Sequence, residues 1–394
     1  MALCRSGHSC LTQLLGHFDD IYSGLIEGVD TDSIYLDYSK AFDRVDHKLL
    51  LQKLSIYKFH PILIRWIASF LTDRFQKVVL NGVHSNGERV ISGVPQGTVL
   101  GPVLFIIFIN DLEKNISSTI RFFADDTRVS RKICSMSDVC LLQRDLDRVC
   151  EWSIENNMQL HESKFQLMSH RYSPVSIFEE LPFFVEQNSY LASGNVTLYP
   201  SSELRDLGLA VSSNLSWSAH IYEITATARS VASWVLSVFR SRDREVMMTL
   251  YKSLVRSHLE YCCPLWHSVE IHEIQAVEDV QRVFTRKVLG MNELDYWSRL
   301  KCLNLMSLQR RRERYIILQM YKILHKVNPN DVGIIFKPES RLGIQAVVPS
   351  LNISSTAANQ TLYDRSFAVV GPRLWNALPK FLTLNCTSAE FKNS

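Results

Sequence analysis

The chain has 394 residues, 46% hydrophobic and 21% charged, with a formal net charge of +3. That length suits two or three units and a substantial core. So mild a charge excludes a globally basic nucleic-acid binder, and any such contact must rest on local clusters. The longest strongly apolar stretch, Val99 to Ile109, is short of the roughly 20 residues that span a bilayer. No membrane partner is therefore expected. Nine cysteines form no CxxC pair and no Cys/His zinc spacing, which reads as reduced thiols in an intracellular protein. His8, Thr12 and Gln13 interrupt any signal-peptide core. Without a secretory route, the Asn-x-Ser/Thr triplets at Asn115, Asn195, Asn214 and Asn352 are chance.

Apolar residues at helical spacing, Leu11 through Leu25, predict a helix over 9–28 that ends near Gly28, with Asp30-Thr31-Asp32 as a loop. Ser33 to Asp37 reads as a short buried strand ending on a carboxylate. Asp37 there is either a metal ligand or an N-cap, and Asp43 and Asp46 read as caps. Two amphipathic helices separated by Pro61 occupy 47–71. Alternation over Phe75–Val83 and Gly87–Ile91, with Asn81-Gly82 as a turn, predicts a β-ribbon. The Gly- and Pro-rich turn Ser92–Thr98 leads into an apolar helix, Val99 to Leu112. Glycine lets backbone approach a ligand and a helix N-terminus attracts phosphate, so Gln96 would project into whatever this loop covers.

Residues 119–131 then read as two short strands, Ile120–Ala124 and Thr127–Val129, meeting at Asp125-Asp126. Two adjacent anions repel. A magnesium or manganese ion is one reason to place them there, since hard carboxylate oxygens suit both. A polar turn in which Asp supplies turn chemistry is the other. The third carboxylate upstream, Asp37, favours the metal. A helix over 138–158, a turn and strand over Leu160–Met168 carrying Lys164, weak strands within 172–200, and a strand or hairpin bent at Gly208 follow.

From Trp217 the pattern is helical, over 218–240, 244–258, 272–289 and 307–326. Basic residues interleave with aromatics: Arg229, Arg240, Arg242, Arg244, Lys252, Arg256, Arg282, Arg286, Lys287, Arg310 to Arg312 and Arg314. Such faces suit a phosphate backbone, or are simply solvated. Residues 329–394 hold Pro329, Pro338, Pro349, Pro372 and Pro379 with weak periodicity. They read as an appended, partly irregular tail whose ordered part is Arg365 to Pro379.

Asp37-Tyr-Ser-Lys-Ala-Phe-Asp43, Ser92-Gly-Val-Pro-Gln-Gly-Thr-Val-Leu-Gly-Pro102 and Phe123-Ala-Asp-Asp126 resemble, in order and spacing, motifs A, B and C of reverse transcriptases. The likeness is greatest to the polymerase of non-LTR (LINE-like, jockey-type) retrotransposons. Leu160–Leu167 resembles motif D and Leu204–Trp217 the primer-grip region; Tyr251–Tyr261 and Arg373–Pro379 resemble stretches downstream of that domain. The resemblance implies an α+β fold: a palm with a small antiparallel sheet and packed helices, then a helical thumb and a C-terminal tail. Its divisions would be 1–32, a remnant of the fingers or connecting helix; 33–212, the palm; 213–328, the thumb and downstream helices; and 329–394, the tail.

The resemblance further implies an RNA-directed DNA polymerase that joins dNTPs to a primer 3′-OH on an RNA template by two-metal nucleotidyl transfer. Two Mg2+ or Mn2+ ions would be bound by Asp37, Asp125 and Asp126. Lys164 would protonate the pyrophosphate. Tyr38, Phe42, Gln96 and Gly97 would line the nucleotide pocket, with the Phe42 ring excluding a ribonucleotide's 2′-OH. Most of the fingers and an upstream endonuclease, both expected of a longer polyprotein, are not in this sequence. A decayed or domesticated remnant that binds nucleic acid without polymerising shares every motif. A metal-dependent phosphatase or nuclease shares the three Asp but needs neither the Gln-Gly loop nor the basic helices.

Overall fold

The computed structural model describes residues 8–172, 189–192, 196–267, 270–337, 344–349, 357–383 and 391. The chain divides into two compact units, one built on residues 30–201 and the other on residues 6–29 and 202–394.

The first unit is organised by a four-stranded antiparallel sheet in the order Thr119–Phe123, Asp126–Ile133, Asp30–Leu36, Gln166–His170. Asp30–Leu36 is the central strand. It runs from Asp30 opposite Ile133 to Leu36 opposite Thr127, and on its other edge pairs Tyr35 with Gln166. Its apolar side chains, Ile34 and Leu36, join Val129, Ile133 and Leu167 in one core with Leu104, Phe105 and Phe108 of helix Leu100–Ile109 and Leu142, Leu146 and Val149 of helix Met136–Glu155. Helix Leu100–Ile109 carries no charged residue, as expected of a helix enclosed by its surroundings.

The strand starts three residues earlier than predicted. Asp30 and Asp32 belong to it and are buried, not in a loop. Arg171 lies 3.1 Å from each carboxylate, the Tyr190 hydroxyl donates to Asp32 at 2.7 Å, and the Tyr172 amide donates to Asp30 at 2.8 Å. Paired in this way, buried carboxylates are tolerated where composition alone indicates a loop.

Helix His47–Ile56 is capped by Asp46, which accepts from the Leu49 amide at 3.0 Å, and Pro61 opens helix Pro61–Leu71. Between that helix and the apolar one stands the expected ribbon. Val79–Leu80 pairs with Val83–His84 and Phe75–Gln76 with Glu88–Arg89. Asn81 and Gly82 both have positive φ, 48° and 81°, the conformation that a tight hairpin requires. Every residue of these four strands is exposed. Of the segment expected to hold weak strands, residues 173–188 and 193–195 lie outside the described residues; Tyr190–Ala192 pairs with Val196–Leu198.

The second unit contains helix Cys10–Glu27, held at its start by reciprocal bonds between Ser9 and Thr12 and ended by Gly28 at φ 77°. It contains the hairpin Glu203–Asp206/Leu209–Ser212 and helices Ser218–Val238, Arg244–Leu250, Arg256–Glu260, Ile271–Arg286, Tyr296–Cys302 and Leu308–Leu324. Tyr251–Val255 forms a π turn that joins two of them. The C-terminal stretch is more integrated than its periodicity predicts. Phe367–Asn376 is a helix whose Trp375 is fully buried, and a Cβ on Gly371 would lie 2.8 Å from Met320 Sδ. Glycine there lets two helices approach closely.

Asp145 ties helix Met136–Glu155 to the strand that leads into the Asp125 turn. It is fully buried and accepts the amides of Ser117 (3.1 Å) and Ser118 (2.7 Å) and both their hydroxyls (2.8 and 2.7 Å). Burial pushes its carboxyl up, but these bonds outweigh burial and hold it below the usual value. Asp145→Ala should cost about 3 kcal/mol, because it strands buried donors. A group with a lowered folded value stabilises fully above its unfolded pKa of ~3.9 and loses that contribution as pH falls through the folded value. Urea denaturation of both proteins should therefore show a gap at neutral pH that narrows in acid.

Candidate active site

The central strand ends at Leu36, and Asp37 follows as its first residue beyond the ladder. The chain stays tethered there: the Asp37 carbonyl accepts the His161 amide at 2.8 Å and the Ser39 amide donates to Gln159 at 2.8 Å. Helix Ala41–Arg44 starts after Lys40 without a side-chain cap, so Asp37 is not spent on capping. The hairpin from the neighbouring strands turns one residue earlier than its sequence indicates. Phe123 pairs with Asp126, leaving Ala124 and Asp125 as the two turn residues, with Ala124 at φ 56°. A non-glycine residue is uncommon in that region, and strain of this kind concentrates at functional turns. Asp125 is half-buried at the turn, whereas Asp126 is the exposed first residue of the return strand.

Asp37 is paired with Lys164. Its ammonium lies 2.7 Å from Asp37 Oδ2. Its pKa is raised, first by the hydrogen bond to Asp37, then by the charge of Asp37, with a further contribution from Asp125. Lys164 sits in the short turn Glu162–Lys164 that precedes strand Gln166–His170, not on the strand. Among the described residues, no three His, Cys, Asp or Glu side chains converge as a ready metal cluster. The geometry thus puts Lys164 against Asp37, and the strand register sets the Asp125-Asp126 turn at the neighbouring strand end. Oxygen donors of this kind suit a hard divalent cation, and the ammonium occupies the place beside Asp37 that such a cation would neutralise.

The Gly/Pro loop is registered on the segment that follows Asp37. The Gly93 amide donates to Val45 O and the Val94 amide to Phe42 O, both at 2.8 Å. His47 Nε2 lies 2.7 Å from Gly93 O. Ser92 Oγ donates to Asp43 O at 2.9 Å, and Gln96 Nε2 donates to Asp43 Oδ1 at 3.0 Å. Asp43, expected as a cap, instead receives the loop. Gly97 (φ 78°) has open space where a Cβ would be, so only its backbone conformation calls for glycine. Phe42 stacks on Phe105 at 4.4 Å between ring centres and is half-buried. Tyr38 is buried with its ring edge toward Trp152, and burial raises its hydroxyl pKa. Any contact to a nucleotide at that position falls to its backbone. Loop and ribbon bound a hollow of about 640 Å³ lined by Lys40, Arg74, Arg89, Asp43 and Gln96 among others.

In the second unit, several of the interleaved basic residues face protein instead of solvent. Arg312 is buried over the Trp266 ring, Arg311 binds Glu260, and Arg256 lies 3.5 Å from the same carboxylate, whereas Arg282 pairs with Asp279 at 2.7 Å with both side chains partly exposed to solvent. Periodicity placed them on helices but gave no sign of their internal partners. Arg229, Arg240, Arg244, Lys252, Arg286, Lys287 and Arg310 are exposed.

Residues 25–211 match the family model described as reverse transcriptase (RNA-dependent DNA polymerase), a span that contains every residue of this site. Those residues are a reverse transcriptase domain. Similar proteins include the probable RNA-directed DNA polymerase from transposon X-element of Drosophila melanogaster, 26% identical over 299 residues, covering 73% of this chain and 31% of the relative. Another is the RNA-directed DNA polymerase from mobile element jockey of Drosophila funebris, 26% identical over 270 residues, covering 66% of this chain and 28% of the relative. The chain thus spans under a third of the length of either. Among solved structures, the apo telomerase of Candida tropicalis is similar at 10% identity and a TM-score of 0.41, over 80% of this chain and 50% of that one. No helix among the described residues is long and apolar enough to cross a membrane.

A Cβ added to Gly93, which has φ 87°, would lie 2.8 Å from both the Cα and the carbonyl oxygen of Asp43. Gly93→Ala should therefore displace the loop or destabilise the domain by about 2 kcal/mol or more. Urea denaturation checks the second outcome, and amide exchange over 92–98 checks the first.

Proposed function

We propose that this chain supplies the catalytic palm, and a helical thumb, of an RNA-directed DNA polymerase of a non-LTR retrotransposon. The observation that carries the reading is the contact of Lys164 with Asp37 at a strand end that the register sets level with the Asp125-Asp126 turn, inside a matched reverse transcriptase span. Two strand ends deliver the carboxylates, and the loop bearing Gln96 stands on the segment next to Asp37.

Asp37 and Asp125 would hold the divalent ions, Mg2+ or Mn2+, with Asp126 beside them. Bound ions of this kind neutralise phosphate charge and stabilise the attacking and leaving oxygens of an in-line displacement. The protein's own part is mostly positioning. Lys164, whose ammonium lies 2.7 Å from Asp37, would give its proton to a leaving pyrophosphate. Phe42, braced flat against Phe105, presents a rigid ring rather than a mobile one, which is what excluding a 2′-OH by contact requires. Gln96 and the backbone at Gly97 would line the dNTP and template pocket. Lys40, Arg74 and Arg89 place positive charge around the adjoining hollow, in keeping with a polyanionic RNA template and DNA primer. Exposed Arg and Lys on the helices after Trp217 would serve the duplex in the same way.

Primer extension on poly(rA)/oligo(dT) with magnesium tests the reading. Extension by the purified chain that disappears in Asp125→Asn, with the fold intact by circular dichroism, is expected. Equal extension by the variant would remove Asp125 from the metal site. In the same assay Phe42→Ala should lower the preference for dNTP over rNTP roughly 10- to 100-fold; an unchanged preference would remove Phe42 from the gate.

A further inference from the structure

We infer that Asp43 is the positioning residue of the nucleotide-binding loop, fixing Gln96 relative to the ring of Phe42. This inference rests on the polymerase reading above. A lone exposed hydrogen bond would hold a glutamine side chain only weakly, because water competes for both partners. Here the backbone beneath that bond is itself fixed, so donor and acceptor are held in register, because three contacts converge on Asp43. Its Oδ1 accepts Gln96 Nε2 at 3.0 Å, its carbonyl accepts Ser92 Oγ at 2.9 Å, and Gly93 crosses it so closely that a Cβ would overlap its backbone.

The flanking residues complete the arrangement. Phe42 O and Val45 O, on either side of Asp43, accept the amides of Val94 and Gly93. The backbone contacts set where the loop crosses, but they leave the Gln96 side chain free to rotate. Among the described residues, the Asp43 carboxylate is the group that bonds it. The sugar-facing ring and the loop amide are thereby tied through one residue, Asp43 being the immediate neighbour of Phe42 in the chain. A ligand that lies against both would meet them at a fixed separation.

Asp43→Ala removes the acceptor and keeps the backbone contacts, whereas Asp43→Asn keeps a carbonyl oxygen for Gln96. Single-nucleotide incorporation on template–primer should show KM for dNTP raised about tenfold in Asp43→Ala with kcat changed less, and restored to within a factor of about three in Asp43→Asn. Gln96→Ala should raise KM similarly, and the double variant no further. Hydrogen–deuterium exchange of the free protein gives a readout independent of turnover: protection of the 92–98 backbone should persist in Asp43→Ala. An unchanged KM in Asp43→Ala, a failure of Asp43→Asn to restore it, or additive effects in the double variant would overturn the inference. Loss of 92–98 protection in Asp43→Ala would also overturn it, by making Asp43 a residue on which the loop's folding depends. If the unaltered chain neither incorporates nor binds dNTP in calcium, the polymerase reading itself fails and takes the inference with it.

Discussion

Carboxylates set at neighbouring strand ends repel, and positive charge beside them relieves that repulsion. The Lys164 ammonium, 2.7 Å from Asp37, supplies such charge here. The surrounding architecture serves that juxtaposition. The antiparallel register that sets Leu36 opposite Thr127 brings the end of the central strand level with the start of the return strand at Asp126. Asp145 pins the serines from which the hairpin springs. The hydrogen bond from the His161 amide to the Asp37 carbonyl keeps the turn carrying Lys164 beside the same strand end. The ammonium is exposed, so the pair is screened by water and yields readily to a stronger cation.

The loop from Ser92 to Gln96 is bound to the chain just past Asp37 by backbone bonds on both sides of Asp43. The proposed metal-side and nucleotide-side elements therefore share one short stretch, residues 37 to 47. Phe42 is part of that stretch and is braced from below by Phe105, a residue of the apolar helix that the loop leads into.

Much of this was legible in the sequence, because local rules and the final fold agree there. Ser33–Asp37, Ser92–Thr98 and the Asp-Asp hairpin stand out by apolar runs, Gly/Pro turns and carboxylates, and the Asn81-Gly82 and Gly208 turns adopt the positive φ their residues favour. What was misread depended on partners far away in the chain. Asp30 and Asp32 look like loop residues until Arg171 and Tyr190 are seen beside them. Asp43 looks like a cap until Gln96, 53 positions later, reaches it. Arg311 and Arg312 look like solvated or phosphate-binding charge until Glu260 and Trp266 are found against them. The hairpin turn was displaced by one residue because Ala124 takes a backbone conformation that its own chemistry does not advertise.

Manganese binding tests the central claim most directly, since it asks about the carboxylates without requiring turnover. Titrating the chain with Mn2+ and following the free-ion signal by electron paramagnetic resonance, for the unaltered protein and for Asp37→Asn, separates the cases. The account predicts that the unaltered chain binds the ion and that Asp37→Asn, folded alike by circular dichroism, binds it at least about tenfold more weakly, as loss of a carboxylate donor should cause. Equal binding by the two proteins would contradict it.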